Sequence, residues 1–361
     1  MDLGYLAAVV VLGGIILFHE FGHYLLARLN GIAVVEFSVG FGPRLLSWVS
    51  QKTGIRYSLK LLPLGGSCAM LGEFGEDEDE KEEVPDLKGV SFFDKGPLAK
   101  MAVIAAGPIF NFILAFVFSL VILSWAGIDP AVIAGTSEGM PAETAGLKEG
   151  DVITKLDGRK IHLSREISMY LMTAGQDPVQ VEYRRYDETS SSWTTEHTVI
   201  QPEFKDGRYY LGVLLQGHRD APESLVQVLQ YSVYEVRYWI LTVIDSLKMI
   251  VGGKVSTNDI AGPVRIVTII DQTVEENTQY GFVTVVMNLL NLMVMFSANL
   301  GVMNLLPFPA LDGGRLVFLL WELITRHPVS QRVESAVNMA GMALLMTFMV
   351  FVVLNDLRIL F

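Results

Sequence analysis

The chain has 361 residues, 51% of them hydrophobic and only 18% charged, with a mean hydropathy of +0.41. A soluble domain of this size needs no such excess to fill its core, and the apolar residues come in long blocks, which points into a lipid bilayer. The formal net charge of -12 argues against a nucleic-acid partner, which requires a basic face, and the lone cysteine, Cys68, cannot make an internal disulfide and reads as a small buried residue.

A first transmembrane helix is expected over residues 1–30, uncharged from Leu3 to Ala27 except at Glu20. It lacks the basic start and the small-residue cleavage site of a secretory leader. Within it stands His19-Glu20-Phe21-Gly22-His23, an HExxH pattern. Helix residues four apart share a face, so two imidazoles can grip one zinc ion while Glu20, beside them, takes a proton from water. Ionisable groups inside lipid are expensive unless they face protein or a wet cavity, and the plainer alternative is a histidine pair satisfied by neighbouring side chains.

Residues 31–97 read as a cytoplasmic loop. Its segments 34–39, 45–50 and 55–62 have β-type composition, parted by turns at Gly40-Phe41-Gly42-Pro43 and Thr53-Gly54. A small sheet there could lend an edge strand to a substrate whose own helical hydrogen bonds have been unwound. Between Glu76 and Glu83 stand seven acids and one lysine, half of the net charge, which reads as a solvated loop.

A second transmembrane helix is expected over 98–126. Its Gly107-Pro108-Ile109-Phe110-Asn111 combines a kink with a polar amide, letting a neighbouring helix approach closely and offering it a hydrogen bond. Residues 127–217 read as a compact β-rich module. Residues 218–276 read as an amphipathic membrane-surface region: Leu225, Val228, Leu229, Val236, Trp239, Ile240, Val243 and Leu247 recur at helical spacing, but Glu235, Arg237, Asp245 and Lys248 make a crossing costly.

The third transmembrane segment, 277–321, contains Asn304-Leu-Leu-Pro307-Phe-Pro309-Ala-Leu-Asp312-Gly313-Gly314, where prolines and glycines break the helix beside a carboxylate. Irregular backbone at membrane depth is tolerated only when protein buries it or it lines a cavity. A catalytic zinc takes three protein ligands and keeps one position open, so Asp312 is the best candidate for the third, with Glu322 a weaker rival. The bland alternative is that Asp312 marks the end of the span in headgroup water. A fourth transmembrane helix covers 334–356. The remaining histidines, His162, His197, His218 and His327, read as surface residues. Arg326 and Arg332 lie between spans three and four whereas Met1–Tyr5 has no basic residue, so the first loop faces the cytoplasm, and both termini and the 127–217 module are extracytoplasmic.

With these motifs in order, the chain resembles the site-2 protease family of intramembrane zinc metalloproteases, in its bacterial RseP-like branch. The resemblance rests on HEFGH, GFGP and GPIFN, a GLKEGDVITKLDG stretch similar to PDZ domains, AGPVRI, and NLLPFPALDGG, and spans nearly the whole chain. It implies a polytopic α-helical membrane protein of four transmembrane helices with an inserted β-rich PDZ-like domain and a small membrane-associated β-sheet. It implies one zinc ion per chain on His19, His23 and Asp312, with Glu20 as general base. Asn304 would position or polarise the substrate carbonyl, and Gly40 to Pro43 would belong to a membrane-dipping β loop. Gly40, Phe41 and Gly42, with Asn111, complete the candidate substrate-positioning set. The implied substrates are single-span membrane proteins in the lipid bilayer, such as anti-sigma factors or remnant signal peptides, trimmed by an upstream site-1-type protease. The implied location is the bacterial cytoplasmic membrane. The chain departs from the branch in having one PDZ-like module rather than two, Arg265 where glycine is common after AGPV, and no Gly-Φ-Gly-Φ carboxylate loop near residues 128–136. Two other readings remain compatible with the residues alone: a cytoplasm-facing membrane metalloprotease acting on loop or soluble peptides, and a non-catalytic PDZ-type adaptor or metal transporter.

Overall fold

The computed structural model describes residues 3–73, 87–215, 217, 219–255 and 260–360; the acidic run 76–83 and His218 lie outside the described residues. In chain order the elements are helix α1 (Leu3–Leu29), strands β1 (Val34–Val49) and β2 (Arg56–Met70), helix α2 (Pro97–Ala126), strand β3 (Ile133–Thr136), helix α3 (Pro141–Thr144), strands β4 (Val152–Leu156) and β5 (Arg159–Lys160), and helix α4 (Ser164–Ala174). Strands β6 (Val179–Asp187), β7 (Ser192–Ile200), β8 (Glu203–Lys205), β9 (Arg208–Tyr210) and β10 (Val213–Leu215) follow. The chain ends in helices α5 (Leu225–Val251), α6 (Pro263–Thr278), α7 (Phe282–Asn304), α8 (Asp312–Thr325) and α9 (Gln331–Leu360). Two compact units result, Met1–Phe118 with Val255–Phe361, and Ser119–Lys254.

In the first unit, α1, α2, α7 and α9 are long and apolar enough to cross a membrane. The 27 residues of α1 rise about 40 Å, more than the roughly 30 Å of a hydrocarbon core, and a helix satisfies its own backbone polar groups there. One stripe of α1 is buried, through Ala8, Val11, Ile15, His19, His23 and Ala27 at spacings of three and four. Small residues let α2 approach it: a Cβ on Gly22 would stand 2.5 Å from the Ala106 carbonyl oxygen. The expected third segment is two helices. α7 stops at Asn304 and α8 begins at Asp312, because Pro307 and Pro309 supply no backbone N–H to continue the first.

Strands β1 and β2 pair antiparallel and double back on themselves. Phe37 lies opposite both Cys68 and Tyr57, Val39 opposite both Gly66 and Leu59, while Trp48 returns to Tyr57. The sheet therefore runs 44–49, 56–60, 34–39, 66–70 from edge to edge. Residues 66–70 form a strand that the β-type composition of 34–62 did not reveal. Gly40 (φ 88°), Gly42 (φ 93°) and Gly65 (φ 107°) make the bends in the left-handed region. Phe41, Leu45, Leu46, Trp48, Leu61 and Leu62 remain exposed, apolar side chains suited to lipid.

The expected amphipathic region 218–276 is two helices that fall in different units. α6 joins the first, packing Ile270 with Ala8, Val11, Ile15 and Leu114. Its N-terminus is capped from the far end of the chain. Buried Asp356 on α9 accepts from the backbone N–H of Gly262 (3.0 Å) and of Arg265 (3.1 Å).

The second unit is β-rich, with one antiparallel sheet in the order β5-β4-β6-β7 and the pairs β3 with β10 and β8 with β9. Val179, Val181 and Tyr183 alternate inward on β6 and meet Ile153, Leu156, Ile167 and Leu211 in the core. α5 belongs here as well. Its charged residues, which argue against a crossing, are partnered inside the unit: Asp245 with Arg159, Glu235 with Arg165, and Arg237 with Glu166. His162 is not a plain surface residue. Its ring stacks on Tyr234 of α5 at 3.8 Å with an interplanar angle of 1°.

Candidate metal centre and active site

The HExxH helix α1 presents His19 and His23 on its buried stripe, one turn apart. The break before α8 brings Asp312 to them. Oδ2 of Asp312 lies 3.2 Å from His19 Nε2 and 3.5 Å from His23 Nε2, and the two Nε2 atoms are 3.2 Å apart. Despite these short separations Asp312 Oδ2 is buried without a hydrogen-bond partner. Three ligand-type atoms thus crowd together with the carboxylate oxygen left unpartnered, as in a donor set for a cation. Ligands about 2.0–2.2 Å from a tetrahedral ion stand roughly 3.3–3.6 Å from each other. The observed separations fall near that spacing, so the residues fit zinc.

Helix α2 supports the histidines from behind. His23 Nδ1 donates to the Val103 carbonyl (2.9 Å), which leaves its Nε2 lone pair directed at the cluster. Asn111 is fully buried with Nδ2 at 3.1 Å from His19 Nδ1. Gly107 provides the space: a Cβ there would stand 2.3 Å from His23 Nε2 and 2.7 Å from His19 Cε1. The kink-and-amide reading of the second span thus places its amide beside a histidine.

Glu20 turns toward the sheet, where its Oε2 accepts from the backbone N–H of Cys68 at 3.0 Å on the edge strand 66–70. Asn304, the last residue of α7, puts Nδ2 3.5 Å from His19 Nε2. The structure therefore gathers His19, Glu20, His23, Asn111, Asn304 and Asp312 around one point. Gly40, Phe41 and Gly42 form the bend of β1, with Phe41 half exposed. Glu322 is no rival ligand, because both its carboxylate oxygens bind buried Lys100 of α2, at 2.9 and 2.8 Å. A cavity of about 890 Å³ reaches Asp312 between α8 and α9, lined by Glu73, Arg315, Asn338, Met339 and Met342 among others.

Sequence reasoning missed the Cys68 N–H, the Val103 carbonyl and the Lys100–Glu322 pair. The first two are backbone atoms, which leave no mark on residue type, and the third joins residues 222 positions apart.

The model for peptidase family M50 matches residues 7–348. The chain belongs to that family. It is 33% identical to a Clostridium acetobutylicum protein named provisionally as a zinc metalloprotease, over 97% of this chain and 96% of that one. It is 31% identical to the zinc metalloprotease RasP of Shouchella clausii, over 99% of each chain. It is 28% identical to the regulator of sigma-W protease RasP of Bacillus subtilis, over 99% of this chain and 98% of that one. Among solved structures, the PDZ domain of an SdrC-like protein from Listeria monocytogenes is 24% identical and covers 25% of this chain and 88% of that one, with a TM-score of 0.20, at which nothing further follows. The M50 peptidase is a metalloprotease of the site-2, intramembrane type, and its relatives are named for zinc. Its four apolar helices and bacterial relatives fit a protein of the bacterial inner membrane.

Proposed function

We propose that this peptidase hydrolyses a peptide bond within the transmembrane segment of single-span membrane proteins, using one zinc ion per chain held by His19, His23 and Asp312. The observation that carries the reading is the convergence of those three ligand atoms, within 4.8 Å of one another, beside α1, a helix long and apolar enough to span a membrane. Zinc there supplies Lewis acidity toward a water and a scissile carbonyl. Glu20, next to His19, takes the proton of the attacking water and delivers it to the departing amide nitrogen. The Asn304 amide donates to the carbonyl oxygen as negative charge develops on it.

A helical substrate must unwind before its peptide bond is open to attack. The edge strand 66–70 can replace the lost backbone hydrogen bonds by strand addition, and the bend at Gly40, Phe41 and Gly42 shapes the sheet that presents it. Anti-sigma factors and remnant signal peptides, first trimmed by a site-1-type protease, are the proposed substrates. The sigma-W name of the Bacillus subtilis relative supports the former. Loop 31–97 faces the cytoplasm, while both termini and the β-rich module lie outside.

The deciding experiment is purified wild type against Glu20→Gln, assayed for bound metal and for cleavage of single-span peptides. Glu20→Gln is expected to keep one zinc per chain and lose cleavage by at least about a hundredfold. Cleavage at the wild-type rate in that variant removes the proposed base. Asp312→Ala is expected to lose zinc, and unchanged zinc content there removes the ligand set.

A further inference from the structure

Asn111 stands behind His19 rather than in the open part of the site. Its side chain is fully buried. Its Nδ2 lies 3.1 Å from His19 Nδ1, and its Oδ1 is buried without a hydrogen-bond partner among the described residues. A carboxamide carries a donor end and an acceptor end on one plane, and a half turn about Cβ–Cγ exchanges them.

With the nitrogen toward the ring, His19 accepts at Nδ1 and carries its proton on Nε2. That atom faces Asp312 Oδ2 and His23 Nε2, each 3.2 Å away, and once protonated it has no lone pair for a cation. With the oxygen toward the ring, His19 Nδ1–H donates to Oδ1 and Nε2 is free to coordinate. The exchange gives Oδ1 a donor and moves the amide nitrogen to the position Oδ1 now holds, so what favours it is the lone pair it frees on Nε2 beside Asp312 and His23. His23 provides the precedent: the Val103 carbonyl can only accept, so His23 is fixed with its proton on Nδ1. Both orienting groups come from α2, eight residues or about two turns apart. Ser297 of α7 steadies the helix at this point by donating to the Asn111 backbone carbonyl oxygen at 2.8 Å.

We propose that Asn111 is a positioning residue: it holds His19 in the Nδ1-protonated tautomer and so makes Nε2 a metal ligand, and it does not touch substrate. This rests on the metal-centre reading above. The test is zinc affinity of the full chain in detergent, by competition with a chelator, for wild type, His19→Ala, Asn111→Leu and Asn111→Asp. Leucine is close to asparagine in size but accepts nothing, and Asn111→Leu is expected to weaken zinc binding about 10–100-fold. Aspartate still accepts from Nδ1–H, and Asn111→Asp is expected to hold zinc at least as tightly as wild type. Cobalt loaded in place of zinc gives a visible spectrum expected to match wild type in Asn111→Asp. Wild-type affinity in Asn111→Leu overturns the proposal, as does an Asn111→Asp that releases zinc as readily as His19→Ala. Should Asn111→Leu fail to fold, Asn111→Asp alone decides. If His19→Ala keeps zinc as wild type does, the ligand set is wrong and the proposal falls with it. If His19→Ala releases zinc while Asn111→Leu retains it, only the role of Asn111 is lost.

Discussion

Gly107 is a position where one methyl group strikes the histidine pair directly. Alanine would push a Cβ to 2.3 Å from His23 Nε2, so either the ring tilts away from Asp312 or α2 backs off from α1. Gly107→Ala is expected to cost about 1–3 kcal/mol of stability by overpacking and to lower zinc content. Thermal unfolding together with metal analysis checks it, and a variant with wild-type values on both would show that the helices have slack. The functional residues most legible in the sequence are those whose chemistry depends on side-chain type at fixed spacing. HExxH works through the helical period, and Asp312 announces itself by the prolines that precede it. Gly107 was legible only as a kink, because its closeness to the histidines depends on how α1 and α2 cross.

Between elements, the exposed and buried charges have separate tasks. Lys100 on α2 and Glu322 on α8 form a pair with only 5% and 18% of their side chains exposed. Removing one partner strands the other, so Lys100→Met is expected to destabilise by up to about 3–5 kcal/mol, while the double variant Lys100→Met/Glu322→Leu recovers most of it. A double variant no more stable than the single one would mean the pair is not coupled. In the β-rich unit, burial lowers the His162 pKa from its ordinary 6.5; Glu166 opposes this, and Arg237 and Lys160 assist it. The folded unit binds that proton less readily than the unfolded chain. The stabilisation is therefore complete above about pH 6.5 and is lost as pH falls through the lowered value. Amide protection in α5, which carries the stacked Tyr234, measured against the intrinsic exchange rate at each pH, is expected to fall below pH 6.5, and His162→Phe to remove that part of the dependence. Unchanged protection across this range would detach His162 from the stability of α5. Helical periodicity revealed that α5 is amphipathic. It did not reveal that the charged face serves Arg159, Arg165 and Glu166, since those partners lie on other elements far back in the chain.

At the scale of the whole molecule, hydropathy located the four long apolar helices because the bilayer imposes a minimum length that composition alone exposes. Strand pairing carries no such length rule, which is why the small sheet expected from 34–39, 45–50 and 55–62 lacks the fourth strand, 66–70, that the structure adds. Sidedness follows from the proposed orientation. In a Cys68→Ala background, Ser190→Cys in the turn between β6 and β7 is expected to react with a membrane-impermeant maleimide on intact cells. Ser330→Cys, ahead of α9, is expected to react only after permeabilisation. The reverse pattern would invert the topology. The cap on α6 has a practical reach beyond its two hydrogen bonds. Asp356 stands near the end of the described chain, yet the turn it steadies begins some ninety positions earlier, against the opening helix. A shortened version ending at Leu354 would therefore be felt first at Gly262, and fusions for purification are better attached after Asp356 than in place of it.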